Sequence, residues 1–352
     1  SDTLEDYFRA VKSWYKRRFD WEIESDWIIK TPGIVFALAM AVKAYTEPGE
    51  SVLMLQPVYY PFREVIEDNR RKLIGSLTNN GYHIVHSPLV KDENNVYRMD
   101  FEDMEKKIRG NAVKLLLFCS PHNPVGRVWK REELEKVAAL CLKYHVTLVS
   151  DEIHSDIVYK GHKMMASISE EIADITITCT APSKTFNVAG LQLSNIIISN
   201  PKLREKFKHE VMQAGYSQPN LMGMEACQAA YENGEEWLEE LLVYLQGNVD
   251  FVRDYLKQEI PKIRLIEPEG TYLLWLDCRE LGLSVEELEH LVVDKANLWL
   301  DPGFIFGAVG EGFERINIAC PRQTLRQAMD QLRDALNAEA FLNYCKMSVI
   351  LQ

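Results

Sequence analysis

Four short, mainly apolar runs limit what this chain can fold into: Val113–Cys119, Val146–Ser150, Ile175–Thr180 and Leu193–Ser199. Runs of this length, rich in β-branched and aliphatic residues, read as strands buried on both faces. Between the first two lies Arg131–Tyr144, where apolar residues recur at helical spacing. Strands interleaved with helices in this way call for an α/β layer whose sheet is largely parallel and covered on both sides.

The pattern extends toward the start. Leu4, Tyr7, Val11 and Trp14 recur with helical period, so 3–19 is predicted to be an amphipathic helix, with Asp2 and Glu5 at capping-box spacing. Trp27–Lys30 and Ser51–Leu55 read as strands, and Gly33–Tyr45 as a helix. Leu238, Leu245, Val252 and Leu256 line one face of a long helix that Pro261 ends. Beyond it come a strand (Gly270–Asp277), a helix (Ser284–Ala296), a strand (Arg315–Ala319) and a helix (Gln323–Leu336), a smaller α+β unit. A length of 352 residues favours two domains. The expected division is 1–246, a large domain, and 247–352, a small one. The first residues already read as helix, which suggests that the sequence begins inside a longer protein.

Charge and motif content narrow the function. With 40 basic against 52 acidic residues, the net charge of −12 argues against a nucleic-acid backbone or an anionic membrane as main partner. The apolar run Ile34–Val42, broken by Lys43, is too short to span a bilayer. No export signal is read at the start, so a cytoplasmic location is expected. The seven cysteines include no Cys-x-x-Cys pair, which points to reduced thiols and no metal centre. His83 and His86 lack an evident third ligand and read as surface or packing residues. The nearest glycine-rich string, Gly307–Gly312, has the wrong spacing for a dinucleotide fingerprint, and neither Walker A nor His-Glu-x-x-His occurs.

Six segments carry candidate chemistry, each with a plainer alternative. Lys184, in Thr180-Ala-Pro-Ser-Lys-Thr-Phe-Asn, follows a buried strand directly; a solvated loop lysine is the alternative. Asn123, in Ser-Pro-His-Asn-Pro-Val-Gly, sits after a strand, where open α/β sheets bind ligands, or merely in a turn. Asp151, in Asp-Glu-Ile-His154, is a carboxylate at a strand end that needs a cation or donor. Gly33-Ile34-Val35 opens a helix whose free N–H groups suit an anion. Tyr59, beside Tyr60, offers a ring for stacking or a core aromatic. Arg315, flanked by apolar residues on a strand of the second unit, suits bidentate capture of a carboxylate or a structural ion pair.

Taken together, the order Gly33, Tyr59, Asn123, Asp151, Lys184, Arg315 resembles the class I/II aminotransferase family of pyridoxal-phosphate enzymes (fold type I) over nearly the whole chain. Pro57-Val-Tyr-Tyr-Pro-Phe62, Ser120–Trp129, Asp151–His154 and Ala181–Asn187 are similar to the cystalysin-type carbon–sulfur β-lyases of that family. The resemblance implies pyridoxal 5′-phosphate, held covalently by Lys184. Asp151 would meet the ring nitrogen, Asn123 the phenolic oxygen, and Tyr59 the ring face. Gly33, Ile34 and Val35 would meet the phosphate, while Ser183 and His154 complete the cofactor set. Arg315 would take the carboxylate of a small amino-acid substrate, and Tyr60 would join Lys184 and Asp151 in catalysis. A homodimer and elimination of a thiol from a cysteine S-conjugate are implied, with an aminotransferase, or a regulatory binding protein on the same fold, as alternatives. Gln192 stands where many aminotransferases carry a phosphate-binding arginine, and Ala181 where many carry a serine.

Overall fold

The computed structural model describes residues 2–69, 72–74 and 86–350, with side chains for 4–69 and 86–338. His83 and the side chain of Asp2 lie outside the described residues. By Cα packing the chain forms two units. The first takes Ser1–Asn123, Arg127–Leu242 and Glu269–Thr271; the second takes Pro124–Gly126, Val243–Pro268 and Tyr272–Gln352.

The first unit is built on seven strands: β1 (Ile28–Thr31), β2 (Ser51–Met54), β3 (Lys72–Ile74), then, after the ribbon β4 (Val90–Lys91) and β5 (Tyr97–Arg98), β6 (Val113–Cys119), β7 (Thr147–Asp151), β8 (Thr176–Thr180) and β9 (Ser194–Ile197). Their order is β1-β9-β8-β7-β6-β2-β3. From β8 to β3 the neighbours are parallel, whereas β9 runs antiparallel to both β8 and β1. The sheet is thus mixed and mostly parallel, as the continuous apolar runs require.

The helices of this unit are α1 (Asp2–Phe19), α2 (Ile34–Tyr45), α3 (Pro61–Asp68), α4 (Phe101–Gly110), α5 (Arg131–Tyr144), α6 (Glu170–Asp174), α7 (Pro201–Gln213) and α8 (Leu221–Asn233). Alternation along the strands divides the core between two faces. Ile28 and Ile197 pack with Trp14 and Tyr15 of α1 and Tyr231 of α8. Their neighbours Ile29 and Ile196 pack with Leu38 of α2 and Phe207 of α7. Trp14 is fully buried and stacks on Tyr231 with ring centroids 4.8 Å apart. Leu4, expected on the apolar face of α1, is instead 41% exposed, because the helix meets its partners from Tyr7 onward.

Helix α9 (Glu235–Glu259) carries the division between Leu242 and Val243. In the second unit, β10 (Arg264–Ile266), β11 (Leu273–Asp277), β12 (Asp301–Pro302) and β13 (Phe313–Asn317) form an antiparallel sheet of order β10-β11-β13-β12. The strand expected from Gly270 begins only at Leu273, since Thr271 donates its N–H to Ile157 at 2.7 Å in the first unit's own body. The strand expected to reach Ala319 stops at Asn317, whose side chain accepts the Ala319 N–H at 2.8 Å. The helix expected over Ser284–Ala296 is α10 (Val285–Glu289) followed by a π-helical turn, His290–Lys295, that leaves Leu291, Val292 and Ala296 all buried. The last helix, α11, runs Arg322–Ile350.

Among the described residues no helix is long and apolar enough to cross a membrane. Of the seven cysteines, the six whose side chains are described are free thiols, five of them buried.

Candidate active site

The register of the sheet decides which loops meet. Cys119, Asp151 and Cys179 lie side by side at the ends of β6, β7 and β8. Because these strands are parallel, the segments bearing Asn123, His154 and Lys184 all leave from one edge of the sheet. Leu117 of β6 pairs with Met54, the last residue of β2, so Tyr59 and Tyr60 follow at the same edge. Lys30 and Thr180 flank Asn195 of β9, which brings the end of β1, and Gly33 after it, to that edge too. Five motifs far apart in sequence therefore share one rim, at the carboxyl ends of strands where α/β sheets bind ligands.

Asp151 is buried at the centre of this rim. Among the described residues its carboxylate accepts one hydrogen bond, from the Ile153 N–H at 3.2 Å. Burial pushes its pKa up to about 7; the Ile153 N–H opposes this, Glu152 adds to it, and the Lys184 ammonium also opposes it. That influence marks Lys184 as an electrostatic neighbour. Lys184 is half-buried on the turn after β8, and its amine makes neither a hydrogen bond nor a salt bridge among the described residues. Ser183, also half-buried, accepts the Val188 N–H at 3.1 Å through its carbonyl.

Asn123 and His154 are buried, and the carbonyl of Asp151 accepts the Ser120 N–H at 2.9 Å, tying the Asn123 loop to β7. Tyr59 is half-buried and Tyr60 is 37% exposed, with ring centroids 5.1 Å apart. Gly33 precedes α2 with φ 154° and supplies no side-chain cap, so the first N–H groups of the helix, at Ile34 and Val35, lie ahead of the Ala37–Gly33 bond that opens it.

These residues fit the pyridoxal phosphate that the resemblance implies. A buried carboxylate with a single donor suits a protonated ring nitrogen, and an uncapped helix start suits a phosphate. Among the described residues the amine of Lys184 has no hydrogen-bond partner, and its charge acts on the Asp151 carboxylate.

Arg315 belongs to the second unit. Its guanidinium pairs with Asp301 across β12 and β13 and lies 4.9 Å from the centre of the Phe306 ring.

Two buried carboxylates of the same stretch were not singled out from sequence. Glu152 accepts from His162 Nε2 at 2.7 Å and from the Met165 N–H at 3.1 Å. Asp156 accepts from Trp14 and Thr185. The available signal was three acids within six residues of a chain entering the core.

The chain is 42% identical over 330 residues to the cystathionine beta-lyase PatB of Bacillus subtilis (strain 168), covering 93% of this chain and 82% of that one. The crystal structure of cystalysin from Treponema denticola, which contains a pyridoxal 5′-phosphate cofactor, matches with a TM-score of 0.89 and 40% identity, over 95% of this chain and 82% of that one. The pyridoxal-phosphate-bound C–S lyase from Staphylococcus hominis matches at 0.85 and 32%, over 94% and 82%. The sequence matches the family described as aminotransferase class I and II over residues 1–332, and the chain belongs to that family.

Proposed function

We propose that the protein is a pyridoxal-phosphate-dependent carbon–sulfur β-lyase. It takes L-cystathionine or a related cysteine S-conjugate with one water and yields a thiol, pyruvate and ammonia. The observation that carries the reading is Lys184 beside buried Asp151 at the common rim of β7 and β8. The identity to a cystathionine beta-lyase and the likeness to cystalysin support the lyase over the aminotransferase alternative.

When bound, pyridoxal phosphate supplies an electron sink for a negative charge at the substrate's Cα. The remaining work falls to the chain. Asp151 keeps the ring nitrogen protonated. Asn123 and Tyr59 orient the ring by its oxygen and its face. His154 and Ser183 complete its surroundings, and the start of α2 at Gly33, Ile34 and Val35 receives the phosphate. Lys184 would hold the cofactor covalently and, once free, is the group placed to take the substrate's Cα proton. A thiolate then leaves from Cβ, protonated by Lys184 or Tyr60, two donors that Tyr60→Phe separates. Arg315 receives the substrate carboxylate in place of Asp301.

A homodimer in a reducing cytoplasm completes the proposal; the free cysteines accord with that compartment. The test is to supply cystathionine without a keto acid and to assay pyruvate and free thiol. Both should accumulate. Amino-group transfer seen only after a keto acid is added, with neither product before it, would establish the aminotransferase instead.

A further inference from the structure

We propose that Asp156 and Thr185 form a brace that sets the position of Lys184 relative to Asp151, a role that rests on the reading of Lys184 given above. The Thr185 hydroxyl donates to Asp156 Oδ2 at 2.9 Å, and the Trp14 indole N–H donates to Oδ1 at 3.1 Å. All three residues are buried, at 1%, 4% and 0% exposure for Thr185, Asp156 and Trp14. Both donors are neutral, and among the described residues no cation touches the carboxylate, although Arg18 and His162 act on it from a distance. Burial raises its pKa.

A buried carboxylate held only by neutral donors is an unfavourable way to fasten two side chains, and a well-packed apolar group commonly serves stability as well. Its placement supplies the reason. Asp156 ends the segment that begins with Asp151, and Thr185 adjoins Lys184 in the chain. The backbone bonds of the lysine turn join Phe186 to Pro182 and Val188 to Ser183, so neither ties residue 184 or 185 to the neighbouring segment. The Thr185–Asp156 bond makes that link. Trp14 strengthens it from α1: besides holding Asp156, its ring meets Phe186 edge-on at 5.7 Å. One helix thus grips both the segment that carries Asp151 and the turn that carries Lys184. Asp156 and Thr185 are positioning residues, acting through Lys184.

The experiment uses the full chain loaded with pyridoxal phosphate and compares Thr185→Val, Thr185→Ser, Asp156→Asn and Lys184→Ala. It reads the midpoint pH of the cofactor's visible band, the fraction of cofactor fixed by borohydride, and kcat and KM separately. Thr185→Val, equal in shape but without the hydroxyl, should shift the midpoint and lower kcat about tenfold while KM changes less than ~twofold. Asp156→Asn should do the same, and Thr185→Ser should restore wild-type values. If Asp156→Asn does not fold, the Val–Ser comparison at 185 decides. A wild-type midpoint and kcat in Thr185→Val, or a Thr185→Ser variant as impaired as Thr185→Val, overturns the brace while leaving Lys184 in place. Covalent fixation persisting in Lys184→Ala overturns the reading of Lys184 itself, and the brace with it.

Discussion

The imidazole of His122 donates from Nε2 to the carbonyl of Pro57 at 2.8 Å. This bond joins the loop after β6, which bears Asn123, to the loop after β2, which bears Tyr59. The ring is fully buried, and burial above all, with Arg127 adding to it, pushes its pKa down to about 4. The folded protein therefore keeps the ring neutral where the unfolded chain, near pH 6.5, already takes up a proton. The contribution to stability is present above about pH 6.5 and is lost as the pH falls through about 4. His122→Phe, which keeps a ring and removes the donor, should cost about 1–3 kcal/mol at pH 7. It should also flatten the acid dependence between those limits, as urea unfolding at a series of pH values would show. An unchanged slope would mean that another group sets it.

Asp151 gives the opposite sign. In the cofactor-free protein its raised pKa, about 7, means that the folded state binds the proton more tightly than the unfolded chain. Stability should therefore fall as the pH rises from about 4 to about 7, by an upper bound of about 4 kcal/mol. Asp151→Asn should remove this fall. Added pyridoxal phosphate should reverse it in the wild type alone, because a protonated ring nitrogen favours the carboxylate. Chemical denaturation from pH 4 to 8, with and without cofactor, makes the comparison. Identical profiles for the two proteins would refute the assignment.

Gly33→Ala isolates backbone strain from crowding. A Cβ at Gly33 meets nothing within 4 Å, yet its φ of 154° lies where side-chain-bearing residues are rarely found. The substitution should cost about 1–3 kcal/mol through strain alone. It should also weaken phosphate binding by turning the first N–H groups of α2, giving a higher dissociation constant for pyridoxal phosphate. Unaltered stability and affinity would show that another residue can take this geometry.

The Arg315 guanidinium meets both the Asp301 carboxylate and the Phe306 ring. Arg315→Lys keeps the charge but loses the planar fork, so KM for cystathionine should rise about 10-fold to 100-fold with a smaller change in kcat. Asp301→Asn removes the internal competitor and should lower KM. Steady-state kinetics of both variants distinguish this from a purely structural ion pair, for which the two substitutions would act alike through stability.

Much of the architecture was open to reading from local pattern alone. Continuous apolar runs and helical periods pointed to strands at Val113–Cys119 and Ile175–Thr180, the second observed as Thr176–Thr180, and to the helix at Arg131–Tyr144, because burial on two faces or one leaves its pattern in the residues themselves. The motif order likewise marked Asn123, Asp151 and Lys184, since each stands just after such a run. What tertiary structure decided was partnership. No local period reveals that Thr185 reaches back 29 positions to Asp156, that Trp14 reaches forward 142 to the same carboxylate, or that Arg315 finds Asp301. Those pairings follow from strand order and register, which place distant loops on one rim and leave a buried charged or polar group only the donors that the fold brings within hydrogen-bond reach.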